Sequence, residues 1–197
     1  MTISCDPICF CDSTSWMHMY ICTHPFSAEE LTLHHIVFKS GITNSSDQLH
    51  TFMIVVDHFL MCNKEQLHLH IAGIGGSGKL HIINALDNLF TRCNACDQLQ
   101  VTALIGCAAV LIKGHTIHAL MLLLNGWCTI CQSELEIIWK DVEYLIIDKI
   151  LLVSAHLLCD ISHHLCMAKL ADLIAASTPF GGVNVIFTGD FEQLKPV

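Results

Sequence analysis

The chain has 197 residues, 53% of them hydrophobic, enough for one compact domain with a substantial core and too few for two ordinary ones. Nine Lys plus Arg against eighteen Asp plus Glu give a formal charge of −9, which excludes a general attraction to polyanions and leaves nucleic-acid binding to a local patch. Mean hydropathy is +0.55, yet the most apolar stretch, "VTALIGCAAVLIKGHTIHALMLLLNGW", is cut by Lys113, Gly114, His115 and His118 and never reaches the roughly 18 uninterrupted apolar residues of a membrane span.

Residues 1 to 40 show no clear period and read as a leader of unspecified structure, before a single domain over 41–197. Their start, "MTISCDPICFCDSTSW", has neither a basic end nor a continuous apolar run, so no signal peptide is expected and an intracellular, reducing location is the default. Twelve cysteines then read as thiols or metal ligands before disulfides. Cys93 with Cys96 and Cys128 with Cys131 form CxxC pairs, and Cys5, Cys9, Cys11, Cys22 and His24 cluster near the start. The gap between the pairs exceeds that of a zinc ribbon and turn glycines are missing, so incidental thiols are favoured over zinc. Fourteen histidines are scattered without an HExxH-type pair and are assigned no metal.

The first periodic element is "SSDQLHTFMIVVDHFLMCN", where Leu49, Phe52, Met53, Val56, Phe59 and Leu60 recur at helical spacing behind the capping candidates Ser45, Ser46 and Asp47. "QLHLHIAG" alternates Leu67, Leu69 and Ile71 with His68 and His70, as a strand does, and runs into glycines. "HIINALDNLF" places Ile82, Ile83, Leu86 and Leu89 on one helical face. Strand and helix then alternate: "LQVTALIG" and "CAAVLI", "VEYLIID" and "SAHLLCDISHHLCMAKLADLIAA", and last "VNVIFTGD". The later strands are apolar without alternation, as in a parallel sheet covered on both faces, so the expected fold is α/β with ligands at the carboxyl edge of the strands.

Three strand ends carry chemistry. "GIGGSGKL" supplies Gly73, Gly75, Gly76, Ser77 and Gly78, whose backbone N–H groups can cradle phosphate oxygens, and Lys79, which can reach the terminal phosphates. At the last position Leu80 brings no oxygen where such loops hold Mg²⁺ with a Ser or Thr hydroxyl, and Ser77 sits too early to replace it. "VEYLIID" ends on Asp148, a carboxylate placed to hold Mg²⁺ directly or through water, or an ordinary acidic strand cap. It is followed by Lys149, which cannot act as a base while charged and stands ready to pair with Asp148. "VNVIFTGDFEQLKPV" brings Asp190 and Gln193 to an exposed turn at the same edge; an amide there could sense a γ phosphate, and on spacing alone a plain surface turn serves equally well.

Together "GIGGSGKL", "TALIGCAAVLIKGHTIHAL", "YLIIDKI", "PFGG" and "GDFEQLKPV", over roughly residues 44 to 197, resemble the motor motifs of the Pif family of ATP-dependent 5′-to-3′ DNA helicases of superfamily one. The resemblance implies a RecA-like, P-loop first motor domain with a parallel central sheet flanked by helices, ATP and Mg²⁺ as ligands, and single-stranded DNA as partner. It implies Gln48 as reader of adenine, Lys79 on the phosphates, Asp148 on the metal and Gln193 as γ-phosphate sensor, with Thr102, Gly106, Thr116 and His118 along the DNA path. Lys113 could meet a phosphate, although a solvated lysine is the simpler reading.

The departures bear on activity. The family carries Ser or Thr at position 80, Glu at 149, a Ser-Met pair at Leu151 and Leu152, and Pro at Lys195. The sequence ends at Val197, just past the third motif, so a second motor domain is expected from elsewhere, such as a partner chain. Three readings follow: an ATP-dependent DNA helicase of the repair, recombination or telomere-maintenance type, nuclear if functional with a mitochondrial place as the alternative, in a truncated or degenerate copy; a nucleotide- or single-stranded-DNA-binding module with weak or no hydrolysis; and a transposon relic. A P-loop kinase or GTPase fits less well, since no guanine-specificity motif or substrate lid is present.

Overall fold

A computed structural model of the chain describes residues 39–42, 45–60, 65–122 and 132–190. Among these, helix α1 (Ser46–Leu60) leads to strand β1 (His68–Ala72) and helix α2 (Lys79–Arg92). Strand β2 (Leu99–Ala103), helix α3 (Gly106–Leu111), the short strand β3 (His115–Thr116) and the single turn α4 (Ile117–Leu120) follow. Helix α5 (Gln132–Trp139), strand β4 (Tyr144–Asp148), helices α6 (Ala155–Ala168) and α7 (Leu173–Ser177) and strand β5 (Asn184–Gly189) complete the order.

The strands form one sheet in the order β1-β5-β4-β2-β3, with every pairing parallel. Successive side chains of a strand point to opposite faces, and the apolar runs of β4 and β5 use this to feed two cores. Tyr144, Ile146 and Ile186 pack on one face with Phe52, Val55 and Val56 of α1 and Ile83, Leu86 and Phe90 of α2. Leu145, Ile147 and Val185 pack on the other with Met121, Leu135 and Trp139 and with Ile161 and Leu165 of α6. Each fully buried large apolar side chain contributes about 1.5–3 kcal/mol against leaving it in water.

Polar staples fix the register at the amino edge. Asn184 is buried; its Oδ1 accepts from Leu67 N at 2.8 Å and its Nδ2 donates to Glu143 O at 2.9 Å, tying three successive sheet neighbours together. Between α1 and β4, His58 Nε2 donates to Glu65 O at 2.7 Å, which leaves Nδ1 to accept from the Tyr144 hydroxyl at 2.8 Å. Lys169 Nζ donates to Lys140 O at 3.0 Å and Val142 O at 3.1 Å, and burial pulls its pKa below the ordinary value against the opposing pull of Asp141 and Glu143.

Three expectations are corrected. The helix expected over 154–176 is broken: α6 ends at Ala168, and a turn follows before Asp172, whose Oδ1 accepts from Ile174 N and Ala175 N to cap a separate α7. "GHTIHAL", one undivided motif in the sequence, holds the two residues of β3 and a helical turn. Gly114 enters this strand so close to β2 that a Cβ would lie 2.1 Å from Val101 O, which only glycine avoids. Helix α5 has no counterpart among the elements expected from the sequence. Cys93, the C-cap of α2, and Cys96, which opens the 3-10 turn before β2, are both exposed, whereas Cys128, Cys131 and the N-terminal cysteines lie outside the described residues.

Candidate functional site

Strand register brings the functional ends side by side. Ala72 of β1 lies opposite Gly189 of β5, Thr188 of β5 opposite Asp148 of β4, and Ala103 of β2 opposite both Asp148 and Thr116 of β3. All these ends open on the carboxyl edge, where parallel sheets of this kind bind ligands. With neighbouring strands about 4.8 Å apart and β5 alone between them, the ends of β1 and β4 stand about 10 Å from each other.

The loop from β1 to α2 turns on two left-handed glycines, Gly76 at φ 84° and Gly78 at φ 89°, with Ser77 N donating to Ile74 O at 3.1 Å. Gly78 is the N-cap of α2 and offers no side chain to it. The first N–H donors and the positive end of the dipole of this 14-residue helix are therefore available to an anion. Lys79 Nζ folds back over the loop, donating to Gly73 O, to Ile74 O at 3.0 Å and to Ser77 Oγ at 3.5 Å. Gln48 of α1 reaches across and donates from Nε2 to Ser77 O at 2.9 Å. Gln48, the loop glycines and Lys79 are thus one assembly, with Leu80 40% exposed beside it.

The fit at Gly78 is tight enough to test. A Cβ there would lie 2.2 Å from Gln48 Nε2, and an L side chain in this backbone region costs about 1–2 kcal/mol. Gly78→Ala is expected to weaken nucleotide binding by dislodging the Gln48 amide. In a double-mutant cycle read by nucleotide titration, Gln48→Ala with Gly78→Ala should bind no worse than Gly78→Ala alone; additive losses would mean that the two residues do not share this contact.

Asp148 Oδ1 accepts from Thr188 Oγ1 at 2.5 Å, so the carboxylate is held by the neighbouring strand and not by Lys149 as its charge had suggested. Lys149 is exposed in a left-handed conformation, φ 59° and ψ 51°, and opens the 3-10 turn Ile150–Leu152. Among the described residues no hydrogen bond or ion pair engages its ammonium. These residues do not fit a magnesium ion of the usual P-loop kind: the hydroxyl ligand is replaced by Leu80, one oxygen of Asp148 is engaged, and a cation stands next in the chain.

Further sequence expectations divide. Thr102 is fully buried and donates to Ile146 O at 2.8 Å, so it holds β2 to β4 and cannot line a DNA path. Gly106 is exposed at the start of α3, Lys113 is exposed, and Thr116 and His118 are half-buried at the β3 end of the same edge. Asp190, expected on an exposed turn, is 7% exposed; Gln193 lies outside the described residues. Sequence reasoning missed Thr188, because its contact with Asp148 follows from strand order, which no local pattern carries.

A family model described as PIF1-like helicase matches residues 43–197. The ATP-dependent DNA helicase RRM3 of Saccharomyces cerevisiae is 30% identical over 142 residues, which cover 68% of this chain and 19% of that protein. The human ATP-dependent DNA helicase PIF1 is 27% identical over 136 residues, 66% of this chain and 20% of that protein. Among solved structures, the Pif1 helicase from Candida albicans matches with a TM-score of 0.61 at 28% identity, over 78% of this chain and 34% of that one. Pif1 helicase from Bacteroides in complex with ADP-AlF3 and single-stranded DNA matches with a TM-score of 0.57 at 26% identity, over 74% and 33%. The chain therefore spans about a fifth of the length of these curated relatives.

Proposed function

The chain belongs to the PIF1-like helicase family, and from that premise we propose that it is a motor domain that holds adenine nucleotide at the β1–α2 loop and contacts single-stranded DNA beside it, with slow hydrolysis. The observation that carries this reading is the assembly of Gln48, Gly78 and Lys79 around one loop, at the edge where Asp148 also ends its strand. Backbone N–H groups and the α2 dipole take the phosphates, with Lys79 moving from the loop carbonyls onto them. We assign the base-reading role to Gln48, whose Nε2 is committed to Ser77 O and whose Oε1 remains to accept from an amino group on the base. Asp148 is assigned the acidic position at the phosphate end, and Gln193 the sensor role.

The relatives are ATP-dependent DNA helicases, and the Bacteroides Pif1 structure is a complex with ADP-AlF3 and single-stranded DNA. For this chain we assign the DNA contact to Gly106, Thr116 and His118, the accessible part of the expected path. Unwinding needs a second motor domain facing this edge, because translocation comes from two domains closing around nucleotide. With a net charge of −9 the DNA contact has to be local, so few phosphates are engaged and the salt dependence is shallow.

Fluorescence polarisation of a labelled oligothymidylate tests the DNA half of this reading. The parent chain is expected to bind, and Thr116→Ala with His118→Ala to bind more weakly. Thr102→Val should weaken the fold and not the DNA contact of the folded fraction. Equal binding by the Thr116/His118 variant would remove the assignment.

A further inference from the structure

We infer that the nucleotide species this site takes is the metal-free triphosphate, with the ammonium of Lys149 standing in for the charge of the cation. The inference rests on the nucleotide reading above and adds to it which ionic form binds and which residue neutralises it.

A nucleoside triphosphate is a polyanion whose terminal phosphates are normally neutralised by a divalent cation and a loop lysine together. Here the hydroxyl that would bind the cation is an alkyl side chain, Leu80, and it is 40% exposed at the mouth of the loop. Asp148, the acidic group at this edge, spends Oδ1 on the Thr188 hydroxyl at 2.5 Å. Asp190 is buried at 7% exposure and has its own partner. Lys149 by contrast is exposed, and among the described residues nothing engages its ammonium.

Lys149 directly follows Asp148, and Asp148 stands two strand steps, about 10 Å, from the end of β1 where the phosphate loop begins. A lysine there carries a compact charge on a flexible four-carbon stem, the kind of group that meets phosphate as a point charge without a fixed geometry. Lys79 at the start of α2 and Lys149 just past the end of β4 thus belong to the same sheet edge, and the α2 N-terminus supplies a third positive element. An arrangement of lysines and backbone donors binds phosphate without a metal. A divalent ion entering beside Lys149 would meet like charge at short range.

The test is a titration of the full chain with a fluorescent ATP analogue in excess EDTA and, separately, in excess magnesium chloride. Binding in EDTA is expected to be at least as tight as in magnesium. Losing one charge-assisted phosphate contact costs about tenfold to a hundredfold in affinity. Lys149→Gln should therefore weaken the EDTA titration by that factor and Lys149→Arg should restore it, with thermal unfolding showing that both variants fold. Binding that appears only with magnesium, or that is unchanged in Lys149→Gln, overturns the inference and leaves the nucleotide site standing. No binding in either buffer overturns the nucleotide reading itself. The analogue's diphosphate separates the two further: Lys149→Gln should affect it less than the triphosphate, and an equal effect contradicts a role at the terminal phosphate.

Discussion

Leu80→Ser combined with Lys149→Glu is expected to raise single-turnover ATP hydrolysis in magnesium by about 10²–10⁴, the range that a positioned base typically contributes. The two changes repair different deficits. Serine at 80 returns a hydroxyl in the first turn of α2, one residue past Lys79, and the solvent exposure of Leu80 means the replacement empties no core. Glutamate at 149 removes the positive charge next to Asp148 and supplies a carboxylate for the attacking water. Each single variant should gain less than the pair, since metal ligation and water activation depend on each other. The backbone at 149 is left-handed in the parent, so the gain also requires the 3-10 turn Ile150–Leu152 to keep its place. A double variant that folds, binds nucleotide and shows no gain would mean that the weak chemistry has another cause.

Trp139→Ala is expected to destabilise the fold by about 3–5 kcal/mol, the range for removing a fully buried large aromatic side chain. The indole is completely buried in the core beneath β4 and β5, and its Nε1 donates to Leu120 O at 3.3 Å, joining α5 to α4. Leu135, also fully buried, is the other main anchor of α5, whose outer face carries Ile137 at 76% exposure. Set against a typical total of about 5–15 kcal/mol, such a loss leaves a marginal or unfolded chain. Urea denaturation followed by far-ultraviolet circular dichroism measures it, with Ile137→Ser as the comparison expected to stay within about 0.5 kcal/mol.

Much of the architecture was legible because periodicity and burial coincide. Phe52 and Val56 of α1, Ile82 to Phe90 of α2, and the unbroken apolar runs of β4 and β5 each face a core that their spacing had implied. The glycines and Lys79 were legible for a different reason, since a phosphate loop needs those residue types in that spacing whatever surrounds it. What escaped was decided by tertiary contact. Helix α5 is eight residues long and anchored chiefly by Leu135 and Trp139, too short for its period to stand out. The long helix expected over 154–176 broke because the Asp172 cap and the Lys169 turn outweighed an apolar pattern that runs on through Leu173 and Ile174, both about 80% exposed. Thr102 departs from its expected place because a motif position says nothing of which way a strand residue faces; its hydroxyl donates to Ile146 O across the sheet. Asp190 and Thr188 could be placed only once β5 was known to lie between β1 and β4.

In the function proposed above, the domain holds nucleotide through the Lys79 loop while Leu80 and Lys149 slow its hydrolysis. Equilibrium ATP binding and single-turnover hydrolysis by the full chain, with and without single-stranded DNA and with Lys79→Ala as the control, test it most directly. The parent is expected to bind, Lys79→Ala to lose that binding, and turnover to stay slow under every condition. Fast DNA-stimulated hydrolysis by the parent, or binding that survives Lys79→Ala, would contradict it.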